Sequence, residues 1–87
     1  MNQPNNPAER NIGYVVSVVN ETPGKLDEFE LTLQTRLKHD PLNPLGLREA
    51  KDAIAAAKQR GLIRSEPRKG PLAYIYGDSE VYYPITQ

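Results

Sequence analysis

Residues 47–60, LREAKDAIAAAKQR, leave the chain the fewest ways to fold. They are rich in strong helix formers and contain no glycine or proline. Gly61 follows where a left-handed C-terminal cap falls, with apolar Leu62 after it. At roughly 100° per residue, Leu47, Ala50, Ile54 and Ala57 form one buried stripe. Arg48, Asp52, Ala55, Ala56 and Gln59 face the other way, with Lys51 at the border.

That stripe is thin, and the chain has little else to build on. A domain of 87 residues buries only about 60–65% of its unfolded surface, so the core must be continuous. Cysteine is absent, which removes disulfides, cysteine-based zinc sites and thiol catalysis. The expected organisation is a short N-terminal tail, residues 1–6, and one domain over residues 7–87.

Upstream, Asn6-Pro7-Ala8-Glu9 is a helix start. Asn6 can accept from a free amide of the first turn, Pro7 suits the first helical position, and Glu9 sits third, as in a capping box. Ile12, Val15, Val16 and Val19 then recur on one helical face. The β-branched run 14–19 suits a strand, but the start signal and the periodicity favour helix. Pro23 and Gly24 end it. A second helix is expected over about 26–38. Leu26, Phe29, Leu33 and Leu37 share its apolar face and Leu31 lies off it. Asp27 and Glu28 come early, Arg36 and Lys38 late, as a helix dipole favours. The alternation over 29–33 makes a short strand the alternative. Residues 39–46 hold two prolines and a glycine and form a turn.

The remainder reads as β: a strand at 62–65, a turn at 66–71 carrying Arg68 and Lys69 at its tip, strands at 72–76 and 81–85, and a hairpin turn between the last two. One face of this ribbon must cover the helices, because an isolated hairpin is not stable in water.

Charge is uneven although its sum is zero. Residues 1–35 carry net −3, residues 36–71 carry nine basic against four acidic groups, net +5, and residues 72–87 carry −2. A basic middle segment raises the question of an anionic partner.

Three helices followed by a β-hairpin with a basic tip resemble the winged helix-turn-helix superfamily, an α+β fold. The stretch 47–64, ending in Gln59-Arg60-Gly61-Leu62-Ile63-Arg64, is similar to that family's recognition helix, its glycine and its first wing strand. Residues 45–52 are also similar, over that short span alone, to a helix start in the bacterial ribosomal stalk protein. The winged-helix resemblance implies a DNA-binding transcriptional regulator whose third helix, 47–60, enters the major groove while the wing, 64–71, contacts the backbone. Arg48 would donate to guanine and Gln59 would contact adenine. Lys51 and Lys58 would lie near phosphates, Arg68 and Lys69 would serve the wing, and Arg36 and Lys38 would steady the docking. The partner is then double-stranded DNA. A homodimer is expected to use Tyr14 and Val18 of the first helix, off its main stripe, or the tyrosine-bearing hairpin. The alternative is the same fold as a protein-binding module, such as a phage or mobile-element regulator that inhibits a host protein.

Enzyme chemistry finds no support in the residues. His39 has no cysteine to pair with and lies in a proline-rich turn. Ser17, Ser65 and Ser79 lack a nucleophile-elbow context. Gly61, Gly70 and Gly77 are too far apart for a phosphate loop. Asp27, Glu28 and Glu30 point in different directions around a helix and suit its first turn better than a metal. No cofactor is expected. No apolar run approaches the ~20 residues of a spanning helix, and no signal sequence is visible, so a cytoplasmic location is expected.

Overall fold

The computed structural model describes residues 6–68 and 80–85. Its elements run α1 (Pro7–Glu21), α2 (Glu28–His39), α3 (Leu47–Gln59), β1 (Ile63–Pro67) and β2 (Glu80–Pro84). The arrangement is α+β, three helices followed by an antiparallel pair of strands, consistent with the winged-helix layout. The strand expected at 72–76 and the basic side chain of Lys69 lie outside the described residues.

Helix α1 starts as its sequence dictates. The Asn6 side chain accepts from the amides of Ala8 at 3.0 Å and Glu9 at 3.4 Å, and Pro7 follows it. Asn6 is therefore the cap of α1. Glu9 does not close a capping box. Its carboxylate instead meets the Arg60 guanidinium at 2.7 Å, joining the start of α1 to the end of α3. The strand alternative for 14–19 is excluded, and Ile12, Val15, Val18 and Val19 are buried. Val18 therefore belongs to the core rather than to a spare dimer face. Val16 packs against the core's edge.

Helix α2 departs most from expectation. Asp27 is its cap, accepting from the Glu30 amide at 2.9 Å while Glu30 bonds back at 3.2 Å. Leu31, Thr32 and Thr35 are buried, whereas Phe29 and Leu33 are exposed. Of the apolar face read as core, Phe29 and Leu33 point outward while Leu26 packs against the core and Leu37 is half-buried, and the face with one leucine and two threonines points in. Short side chains suit this contact because the surface opposite is itself small: Ala50, Ala53, Ile54 and Ala57 of α3 are buried. Leu47, expected in that stripe, is exposed.

The turn between α2 and α3 is clamped. Arg36 Nε donates to the Leu45 carbonyl at 2.7 Å, and the Leu45 amide donates to the Arg36 carbonyl at 3.0 Å. Gly46 opens α3, its amide donating to the Glu49 carboxylate at 3.2 Å. Gly61 closes the helix at φ 72°, as its position implied.

Strand β1 pairs with β2 in the register Ile63↔Pro84, Ser65↔Tyr82 and Pro67↔Glu80. The strand expected at 62–65 thus extends to Pro67 and meets the last strand of the chain. Ile63, Val81 and Tyr82 are buried, and Tyr82 joins the helical core. The connection between α1 and α2 runs along β2: Gly24 donates to the Tyr82 carbonyl at 2.7 Å and Tyr82 donates to the Leu26 carbonyl at 3.1 Å. Gly24 needs its φ of 72°, and a Cβ there would meet the Tyr83 ring at 2.6 Å.

Three outcomes test this packing. Leu31→Ala should cost about 2–5 kcal/mol in urea unfolding, whereas Leu33→Ala at low protein concentration should cost about 1 kcal/mol or less. Gly24→Ala should lose about 2 kcal/mol, from the left-handed backbone and the displaced tyrosine. Glu9 is held below its ordinary value of 4.5 chiefly by the hydrogen bond from Arg60, which outweighs the opposing effect of desolvation, with the Arg60 charge adding to it. Its contribution is present above 4.5 and is lost as pH falls through the depressed value. Melting curves of Glu9→Gln should therefore decline less steeply with acid than those of the parent.

Candidate nucleic-acid interface

Helix α3 rests on Ala50, Ala53, Ile54 and Ala57, so the opposite surface is fixed by helical geometry. Arg48, Asp52, Ala55 and Gln59 are all exposed on it, as the periodicity requires. Ala56 is half-buried and packs on the core, so it leaves this face. Lys51 turns toward α2, lining a groove with Phe29, Leu33 and Arg36. Lys58 turns toward β2, its ammonium 4.0 Å from the Glu80 carboxylate and 5.9 Å from the centre of the Tyr82 ring.

The two ends of α3 differ electrostatically. Around its C-terminal half stand Asp27, Glu28 and Glu80, close enough that they, after burial itself, hold the Tyr82 phenol above its ordinary value. Lys58 is the α3 cation that answers this acidic neighbourhood. The N-terminal half carries Arg48 and Lys51 on the first two turns, where the helix dipole adds positive potential. Glu49, beside them, is engaged with the Gly46 amide.

Most other cations of the basic middle segment are committed to structure. Arg36 clamps the Leu45 carbonyl. Lys38 reaches Glu21 at 2.8 Å, Arg60 holds Glu9, and Arg64 holds Glu66 at 2.6 Å while lying over the Tyr83 ring. Arg68 was expected at a wing tip. Its side chain is only 10% exposed and lies 3.7 Å from Asp27, the cap of α2. It lies just past the end of β1, against the helices. Outside that segment, Arg10 contacts Asn11 and the Tyr14 ring. Among the described residues, the lysines and arginines with no hydrogen bond, ion pair or ring contact are Lys25, Arg48 and Lys51.

The expected site therefore divides. Arg48, Lys51 and Gln59 stand on one accessible helix, with Arg36 beside Lys51 across a groove. Lys38 lies with Glu21 and Arg68 with Asp27, and neither is free to steady a phosphate without giving up a partner. Lys69 lies outside the described residues. His39 contacts the Tyr14 hydroxyl at 3.3 Å and packs edge-on to its ring, so Tyr14 is occupied within the fold. No three His, Asp or Glu among the described residues are placed to hold a metal ion. No helix among them is long and apolar enough to cross a membrane.

Sequence reasoning missed the apolar groove beside this face. Phe29, Leu33 and Leu47 line it, and each had been read as core. Nothing within α2 signalled this; only the alanine face of α3 opposite selects Leu31, Thr32 and Thr35 as the inward residues.

Comparison with protein-family models, with curated proteins and with solved structures finds no match to this chain.

Proposed function

We propose that this chain is a sequence-specific DNA-binding transcriptional regulator of the cytoplasm that presents α3 to the major groove. The observation that carries the reading is the pair Arg48 and Lys51. Both stand exposed on the N-terminal half of α3 with no partner among the described residues, while the neighbouring cations are engaged. Two cations that make no ion pair, exposed on the outer side of a packed helix, are suited to a polyanion.

Each residue has a chemical role in that reading. Arg48 can donate two hydrogen bonds to guanine O6 and N7, and Gln59 can pair with adenine N6 and N7. Lys51 neutralises a phosphate and sets the register of the helix. Ala55, short and exposed between them, lets the helix backbone approach the bases closely. Asp52 repels phosphate and accepts from the amino group of cytosine, so it favours a base edge over the backbone. The second reading, a protein-binding module, draws on Phe29, Leu33 and Leu47, which are exposed beside the same helix.

Binding to random and selected duplexes, measured against salt concentration, separates the two. Arg48→Ala should cost about 1–3 kcal/mol on the selected site and relax preference at one base pair. Lys51→Ala should weaken binding on all duplexes and lower the salt slope by about one. Both positions are exposed and leave the core untouched, so loss of binding would not reflect unfolding. No binding at about 50 mM salt would end the DNA reading.

A further inference from the structure

The structure exposes five large apolar side chains among its described residues, and three of them lie in one place. Phe29 at 77% exposure, Leu33 at 42% and Leu47 at 52% line a groove of about 550 Å³ between α2 and α3. Leu42 and Leu62 are the other two and do not line it. Apolar residues scattered singly need no explanation, but a cluster that forms a groove does.

The groove also has a polarity. Glu28 lies at the start of α2 and Arg36 two turns later on the same side, about 12 Å along the axis at 1.5 Å per residue. Only Nε of Arg36 is bonded to the Leu45 carbonyl, which leaves its two Nη nitrogens to donate outward. The α2 side of the groove thus has an apolar centre with an acid at one end and a base at the other, complementary to its own copy turned end for end, and Lys51 lines the α3 side. We propose that the occupant of this groove is α2 of a second copy of this chain, related by a two-fold axis near Thr32.

In that antiparallel apposition Glu28 of each copy meets Arg36 of the other. Leu33 lies by the axis, and Phe29 packs against Leu33 of the second copy, with Leu47 at the flank. The two helices would then lie at the ordinary ~8–10 Å. Parallel apposition would set Glu28 against Glu28 and Arg36 against Arg36, so charge selects the antiparallel pairing. The interface is isologous, which closes the assembly at two copies. Arg48 and Gln59 do not line the groove and remain exposed in the dimer, whereas Lys51 lines it from α3 and borders both surfaces. The proposal goes beyond the DNA reading and does not depend on it.

Sedimentation equilibrium of the full chain without nucleic acid tests it, over about 10–500 µM because so small an apolar patch supports only a weak complex. The mean mass should rise from 9.8 kDa toward twice that value. Phe29→Asp should stay at 9.8 kDa throughout. Glu28→Lys should raise the dissociation constant about tenfold at low salt by placing like charges together. Leu42→Asp, exposed outside the groove, should follow the parent curve. Circular dichroism identifies any variant that has lost its helices. A parent that remains at 9.8 kDa overturns the proposal and leaves the groove to a protein of different sequence. Dissociation by Leu42→Asp equal to that by Phe29→Asp overturns it as well. With no nucleic acid present, neither result bears on DNA binding.

Discussion

The alanine face of α3 sets the spacing of the whole structure. Ala50, Ala53 and Ala57 bring the backbone of α3 close to its neighbours, and only Ile54 adds bulk. Each neighbour must then supply the fill. Helix α1 does so with Ile12, Val15, Val18 and Val19, whose branched side chains are stiff and lose little freedom on burial. Helix α2 contributes Leu31 with Thr32 and Thr35. A bulky face on α2 would hold the helices apart and open voids beside the alanines, which a close-packed interior does not tolerate. The small stripe on one helix therefore decides which face of the next turns inward.

This explains which parts of the fold were legible in the sequence. The third helix and its glycine cap were readable because propensity, periodicity and terminator agree there. The first helix was readable from Asn6, Pro7 and the valine spacing, against the pull of its β-branched run. The inward face of α2 was not readable, because the choice between Phe29–Leu33 and Leu31–Thr35 is made by the partner surface and not by α2 itself. The strand pairing was half readable. Residues 63–67 and 80–84 carry strand character, but nothing local says that the first pairs with the last. Nor does Gly24-Lys25-Leu26, which reads as a helix breaker, announce that it will hydrogen-bond along Tyr82.

The candidate site was less legible than the fold, for an electrostatic reason. A count of charges along residues 36–71 cannot distinguish a cation that faces solvent from one that holds the chain together. Lys38, Arg60 and Arg68 each pair with a group far away in sequence, Arg36 bonds a loop carbonyl, and Arg64 holds Glu66 of its own strand and lies over Tyr83 across the sheet. Arg68 shows the point most clearly. A Pro/Gly-flanked basic pair looks like an exposed tip, yet Arg68 is drawn back to Asp27, where it meets the cap of α2. A nearly buried guanidinium needs such a partner, because its desolvation is costly when uncompensated.

What remains after these pairings is small and asymmetric. The acidic groups Asp27, Glu28 and Glu80 gather at one end of α3, and Lys58 and Arg68 stand among them. Arg48 and Lys51 lie at the other end, where the dipole of α3 reinforces them. The same asymmetry governs α2, whose acidic start and basic end flank the exposed Phe29 and Leu33. Because α2 and α3 are joined by the clamp between Arg36 and Leu45, the two polarities are held in one fixed relation. Arg36 thus has a double place in the structure: its Nε secures the turn that positions α3, and its outer nitrogens lie at the basic end of the groove. The turn and the surface beside it are set by one side chain.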